Sequence, residues 1–180
     1  MKNIILIGYR CTGKSSVGRI LADRLASPFF DTDDVICKEA GMSIRDIVES
    51  GGWARFRKRE KAVINNLLLQ EGSVIATGGG ALDDSKNKND LKQNGLFIWL
   101  TAEVKIIMER MISDRENDDK RPSLSNDGMH REIVTTLEKR EPVYKNLAHL
   151  TIDTSGKTLH AISDEIIECL ESFKQTDQRK

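Results

Sequence analysis

Residues 8–15, GYRCTGKS, carry the pattern of a phosphate cradle: a glycine, four residues, then Gly-Lys-Ser. Glycine lets the backbone turn tightly, so that its N–H groups and the N-terminus of the next helix converge on phosphate oxygens. Lys14 is placed to reach the terminal phosphates of a nucleoside triphosphate, and the Ser15 hydroxyl to bind Mg²⁺. The loop leaves the phosphate acceptor open. Cys11 within it has two readings: a thiol made acidic by the surrounding N–H groups and Lys14, or a small tolerated residue.

A second candidate is the acidic turn FFDTDDVI. Asp31 and Asp33, two apart in an extended turn, can point the same way, one holding hydrated Mg²⁺ and the other accepting a hydrogen bond from a substrate hydroxyl. Asp34 is expected to cap the helix that follows, and the whole run also reads as a plain capping turn.

The third is GWARFRKREK at residues 52–61, with five cations around two aromatics. At about 100° per residue, Trp53, Phe56, Val63, Ile64 and Leu67 share one helix face. Glu60 falls near the centre of that stripe and Arg57 on its flank. A charge on a buried face must be paired, and these two stand three residues apart, where helix side chains meet. A guanidinium held by one carboxylate keeps donors for another, so Arg57 is either the anchor for a carboxylated ligand or half of an internal ion pair. The remaining cations read as a solvated face.

These groups need elements to position them. NIILIG is a short continuous apolar run of the kind found in buried parallel strands, and Val17, Leu21 and Leu25 mark a helix ending at Ser27-Pro28. Further helices are expected over 43–50, capped by Ser43, and over 53–71. SVIATGGG and LFIWL read as strands, followed by a helix marked by Val104, Ile107, Met108 and Met111. Residues 113–128, dense in charge and turn formers, are expected as a mobile loop. A helix at 129–140, the strand LTID and a helix at 158–173 complete an α/β chain whose last residues, 173–180, are expected to fray.

The 180 residues suit one domain, 38% hydrophobic and 31% charged. With 28 basic and 28 acidic residues, there is no global attraction for nucleic acid or an anionic membrane. No apolar stretch reaches membrane-spanning length. Three scattered cysteines suit reduced thiols in the cytoplasm, and the three histidines lack zinc-ligand spacing.

Taken together, GYRCTGKS, DTDDVI, SIRDIV, FRKRE, VIATGGGAL, RPSL, LEKREPVY and LTID resemble the shikimate kinase family over nearly the whole chain. The first motif is widespread among NTPases, whereas the set in this order is highly specific. The resemblance implies a three-layer αβα P-loop fold like that of nucleoside monophosphate kinases, with a central five-stranded parallel sheet and a mobile lid over roughly 113–128. It implies transfer of the γ-phosphoryl group of ATP to the 3-hydroxyl of shikimate, with Mg²⁺, by a cytoplasmic monomer.

By the same resemblance, Gly8, Arg10, Cys11, Thr12, Gly13, Lys14, Ser15 and Ser16 contact ATP, and Arg110 packs on adenine. Arg121 is the lid cation reaching across the phosphates. Ser15 and Asp31 serve the metal, and Asp33 is the candidate base at the shikimate hydroxyls. Arg57 and Arg140 clamp the carboxylate beside Gly78, Gly79 and Gly80. Trp53 stands where many members carry glutamate, which leaves that pocket wall open. A gluconate-type or nucleotide-type kinase shares the loop but not the paired arginines with GGG. A non-catalytic ligand-binding relative is disfavoured by the presence of Lys14, Ser15, Asp33 and Arg121.

Overall fold

Asn3–Ile7 forms strand β1, and its alternating side chains leave for opposite faces of the sheet, Ile5 and Ile7 to one and Leu6 to the other, all fully buried. This two-sided burial explains why the run is apolar without a break. The computed structural model describes residues 2–117 and 126–177. In chain order the other strands are β2 (Phe29–Asp31), β3 (Val74–Ala76), β4 (Gly95–Thr101) and β5 (Leu150–Asp153). All pairings are parallel and the order is β2-β3-β1-β4-β5, with Leu6 opposite Ala76 on one side and Ile98 on the other.

Helices cover both faces. On one, Val17 and Leu21 of α1 (Lys14–Arg24) and Ile162 and Ile166 of α7 (Leu159–Asp177) pack on Leu6, Ile98 and Leu100. On the other, Ile5, Ile7, Phe97 and Trp99 meet Ile64 of α3 (Ile44–Leu67), Leu91 of α4 (Ser85–Asn94), and Tyr144 and Leu147 of α6 (Asn126–Leu147). Each fully buried aliphatic side chain contributes about 1.5–3 kcal/mol. Helices α2 (Thr32–Ala40) and α5 (Val104–Asn117) complete the set, and among the described residues none is long and apolar enough to cross a membrane.

Several expectations change in detail. Helix α3 is broken at Gly52 (φ 68°, ψ 177°), which accounts for two separate helical patterns, and Ser43 caps it in a reciprocal box with Asp46. Ser85–Asn94 has almost no apolar stripe, yet is helical because Asp84 caps it. Helix α6 does not stop at 140: it runs through Pro142, tolerated because Tyr144 and Leu147 beyond it are buried in the core. Helix α7 runs from Leu159 to Asp177. Of the segment 113–128, residues 113–117 complete α5 and 126–128 begin α6; the rest, with Arg121, lies outside the described residues.

Candidate active site

Because the strands are parallel, the loops after β1, β2 and β3 open at the same, carboxyl end of the sheet, and the site is built there. The loop after β1 needs glycine at its start: Gly8 has φ 141°, and a Cβ there would lie 2.2 Å from the Leu100 carbonyl oxygen. Gly13, also left-handed, begins α1 with no side-chain cap, so the helix directs N–H groups into the loop without a competing acceptor from that residue. Thr12 donates its hydroxyl proton to the Tyr9 carbonyl at 2.8 Å, and the Lys14 ammonium donates to Gly8 and Tyr9 carbonyls at 2.9 and 2.6 Å. Burial lowers the Lys14 pKa to about 8, against the opposing pull of Asp33 and Asp31.

Cys11 is a correction to the acidic-thiol reading. Its residue adopts φ 60°, and its thiol faces Asp114 of α5 at 3.4 Å. Burial first, then the Asp114 charge and hydrogen bond, push its pKa up to about 11, overriding Arg10 and Lys14. Arg10 itself pairs with Glu132 of α6 at 3.2 Å. Arg110 donates to the Cys11 carbonyl and to both the hydroxyl and carbonyl oxygens of Thr154, tying α5 to the loop and to the end of β5.

After β2, the cap of α2 is Asp31 and not Asp34. One Asp31 oxygen accepts from the N–H groups of Asp33 and Asp34, and the other accepts the Ser15 hydroxyl proton. Asp34 turns outward to Arg19 at 2.8 Å. Asp33 therefore lies in the first helical turn, not in an extended one, with its Oδ1 2.7 Å from where a Cβ on Gly78 would stand. Thr32 binds the same segment by accepting the Gly78 N–H at 2.8 Å.

After β3, Gly78 and Gly80 bring the backbone close to the side chains of the site, whereas a Cβ on Gly79 would make only ordinary contacts. A Cβ on Gly80 would meet Arg57 Nη2 at 2.4 Å and Arg140 Nη2 at 2.9 Å. Arg57 donates through Nη1 to Glu60 at 2.6 Å, Glu60 being 1% exposed. The Arg57 guanidinium also sits over the rings of Phe56 and Trp53. Phe56 is buried, but Trp53, expected on the apolar face, is 58% exposed at the mouth of the site. Arg140 makes a two-bonded fork to Asp83, and Tyr144, one turn on, donates to the Gly79 carbonyl at 2.9 Å.

An open cleft of about 1150 Å³ is lined by Arg10, Cys11, Thr12, Gly13, Lys14, Ser15, Ser16, Asp31, Asp33, Arg57, residues 78–80, Arg110 and Arg140. Gly8, at the start of the loop, is not among the lining residues. Thr32, Asp83, Asp114, Glu132 and Tyr144 hold this site together and are not marked by the sequence reading. Tyr144 lies inside LEKREPVY, but nothing local identifies its partner.

A five-stranded parallel sheet that launches a Gly-x4-Gly-Lys-Ser loop from its central strand into such a cleft defines a P-loop kinase fold. The family model described as Shikimate kinase matches residues 10–171. A shikimate kinase of Syntrophus aciditrophicus is 46% identical, over 95% of this chain and 92% of its own. The solved shikimate kinase of Acinetobacter baumannii, in complex with shikimate, superposes with a TM-score of 0.88 at 34% identity, over 97% of this chain and 95% of its own. The chain belongs to the shikimate kinase family. A gluconokinase of Sinorhizobium meliloti, 18% identical over 97% of this chain and 94% of its own with a TM-score of 0.60, shares the fold alone.

Proposed function

We propose that this protein transfers the γ-phosphoryl group of ATP to the 3-hydroxyl of shikimate, giving shikimate 3-phosphate and ADP in the route to chorismate and the aromatic amino acids. The observation that carries the reading is the convergence of Arg57 and Arg140 on Gly80, two residues along the chain from Gly78, where Asp33 approaches. A ring carrying a carboxylate at one end and a hydroxyl at the other spans such a site: two guanidiniums take the carboxylate, and Asp33 takes the hydroxyl. Backbone approach at residues 78–80 leaves the ring its volume.

In this reading the 3-oxygen forms the new bond to the γ-phosphorus while the bond to the β,γ-bridging oxygen breaks, and ADP leaves with that electron pair. Asp33 orients the hydroxyl and accepts its proton. Lys14, the loop N–H groups and Arg121 stabilise charge on the phosphoryl oxygens. The Ser15 hydroxyl and Asp31 carboxylate, in contact at the cleft, are the hard oxygen donors that suit Mg²⁺, which keeps several waters and takes substrate phosphates as ligands. When bound, Mg²⁺ neutralises charge on the phosphates. Arg110, beside Cys11 and Thr154, is the expected packing partner of adenine.

The same reading makes residues 1–180 one domain, a cytoplasmic monomer binding neither nucleic acid nor membrane. The test is a coupled ADP-release assay with ATP and Mg²⁺, offering shikimate, quinate, gluconate and nucleoside monophosphates. Turnover with shikimate is expected far above the rest, and absence of shikimate-dependent ADP overturns the proposal.

A further inference from the structure

Arg57 and Arg140 bring two positive charges to one point above Gly80, where they repel each other. Each is held by a carboxylate of its own. Glu60 holds Arg57 from within the same helix, while Asp83 holds Arg140 from the short 3-10 turn (Ala81–Asp83) that directly follows the glycines. The second contact joins residues 57 apart in sequence, and it is a fork: Arg140 Nε donates to Asp83 Oδ1 at 3.0 Å and Nη2 to Oδ2 at 2.6 Å. Two parallel bonds fix the plane of a guanidinium as well as its place. With Asp83 on its Nε–Nη2 edge, Arg140 turns Nη1 toward Gly79, 3.8 Å from where a Cβ would stand.

We propose that Asp83 is a positioning residue for substrate binding, holding the Arg140 guanidinium in the orientation that receives the shikimate carboxylate beside Arg57. This deepens the function proposed above and rests on it. The Asp83 side chain is 50% exposed, so the pair adds little to folding, as is usual for a rim ion pair. Arg140 is 21% exposed and cannot relax freely into water. Burial alone would lower its pKa, but the hydrogen bonds and charge of Asp83 outweigh this and raise it, in keeping with a tightly held cation. The site thus has a carboxylate behind each arginine, one buried and one at the rim.

The test compares Asp83→Asn, Asp83→Ala and Asp83→Glu in the intact protein, with shikimate and with its methyl ester, which lacks the anion. Asp83→Asn and Asp83→Ala are expected to raise the shikimate KM about tenfold or more, the effect of losing a charge-assisted bond that orients a ligand group. Because anchoring is shared by ground and transition states, kcat should change far less, and the ATP KM should stay put. Asp83→Glu keeps the charge and should restore KM to within about threefold of wild type. The ester KM should respond less than twofold, since Arg140 then has no anion to receive. An unchanged or lowered shikimate KM in Asp83→Asn overturns the role of Asp83, as does an equal rise for ester and acid, or a loss of thermal stability that accounts for the change. If wild-type protein gives no shikimate-dependent ADP, the proposed function fails and this role falls with it; normal wild-type turnover with an indifferent variant rejects Asp83 alone.

Discussion

Arg57 donates to Glu60 at 2.6 Å across one turn of α3, the carboxylate 1% exposed and the guanidinium 37% exposed toward the cleft. Burial raises the Glu60 pKa, and the hydrogen bond and charge of Arg57 oppose that rise, so Arg57 favours the ionised form of this carboxylate. Arg57→Ala removes both the cleft cation and the partner of a buried carboxylate. The shikimate KM is expected to rise by about 100-fold, with ATP affinity within about twofold, on the scale of losing a charged bidentate contact. Steady-state kinetics varying each substrate in turn would check this, and a selective loss of ATP affinity would reject the anchoring role.

Gly80→Ala and Gly8→Ala should fail in opposite ways. At Gly80 the new methyl group meets only the tips of two flexible arginines, so the fold should survive with a melting temperature within about 2 °C, while the shikimate KM rises at least tenfold as both guanidiniums are displaced. At Gly8 it meets the backbone carbonyl of Leu100 in a left-handed conformation, and the loss should be one of folding, about 2–4 kcal/mol. Paired thermal melts and kinetics separate the two.

Lys14 sets a pH dependence. Its pKa falls from the ordinary 10.5 to about 8 through burial, so between these values the unfolded chain binds more protons than the folded one. Stability of the protein without nucleotide is therefore expected to rise as pH goes from about 8 to about 10.5, if other groups are held constant by comparison with Lys14→Ala. Phosphates restore the protonated amine, so ADP binding near pH 9 should take up a proton. Calorimetry in two buffers of different ionisation heat would reveal it, and a buffer-independent heat would exclude it.

Cys11 should be a slow nucleophile despite its place in the phosphate loop. With its pKa near 11, only a small fraction is thiolate at about pH 8, and alkylation by iodoacetamide is expected to be at least tenfold slower than for a free thiol. Asp114→Asn removes the charge facing the sulfur and should accelerate it severalfold. Mass spectrometry of the modified peptide over time measures both rates.

The sequence by itself determined whatever one element or one turn encodes. The phosphate loop, the unbroken apolar run of β1, the Ser43 cap and the Arg57–Glu60 pair all depend on residues a few positions apart, where backbone geometry fixes who meets whom. Local patterning fell short where two local answers compete. The cap of α2 is expected at Asp34, but the structure puts it at Asp31, with Asp34 turned to Arg19. The helix expected over 129–140 runs on through Pro142 because Tyr144 and Leu147 are buried, and Trp53 shares the apolar stripe of α3 but stands at the open mouth of the cleft.

Only the tertiary structure decided the long-range partners: Asp83 for Arg140, Tyr144 for Gly79, Asp114 for Cys11 and Thr154 for Arg110. A hydrophobic period states which face of an element is buried but not which element covers it. The parallel sheet supplies that choice by bringing the carboxyl ends of β1, β2 and β3 to one end of the sheet, where α3 and α6 arrive from elsewhere in the chain. The charges that meet above Gly80 are thus encoded far apart and brought together by packing: the resemblance of the whole motif set points to the two arginines, but the local sequence of neither names its partner.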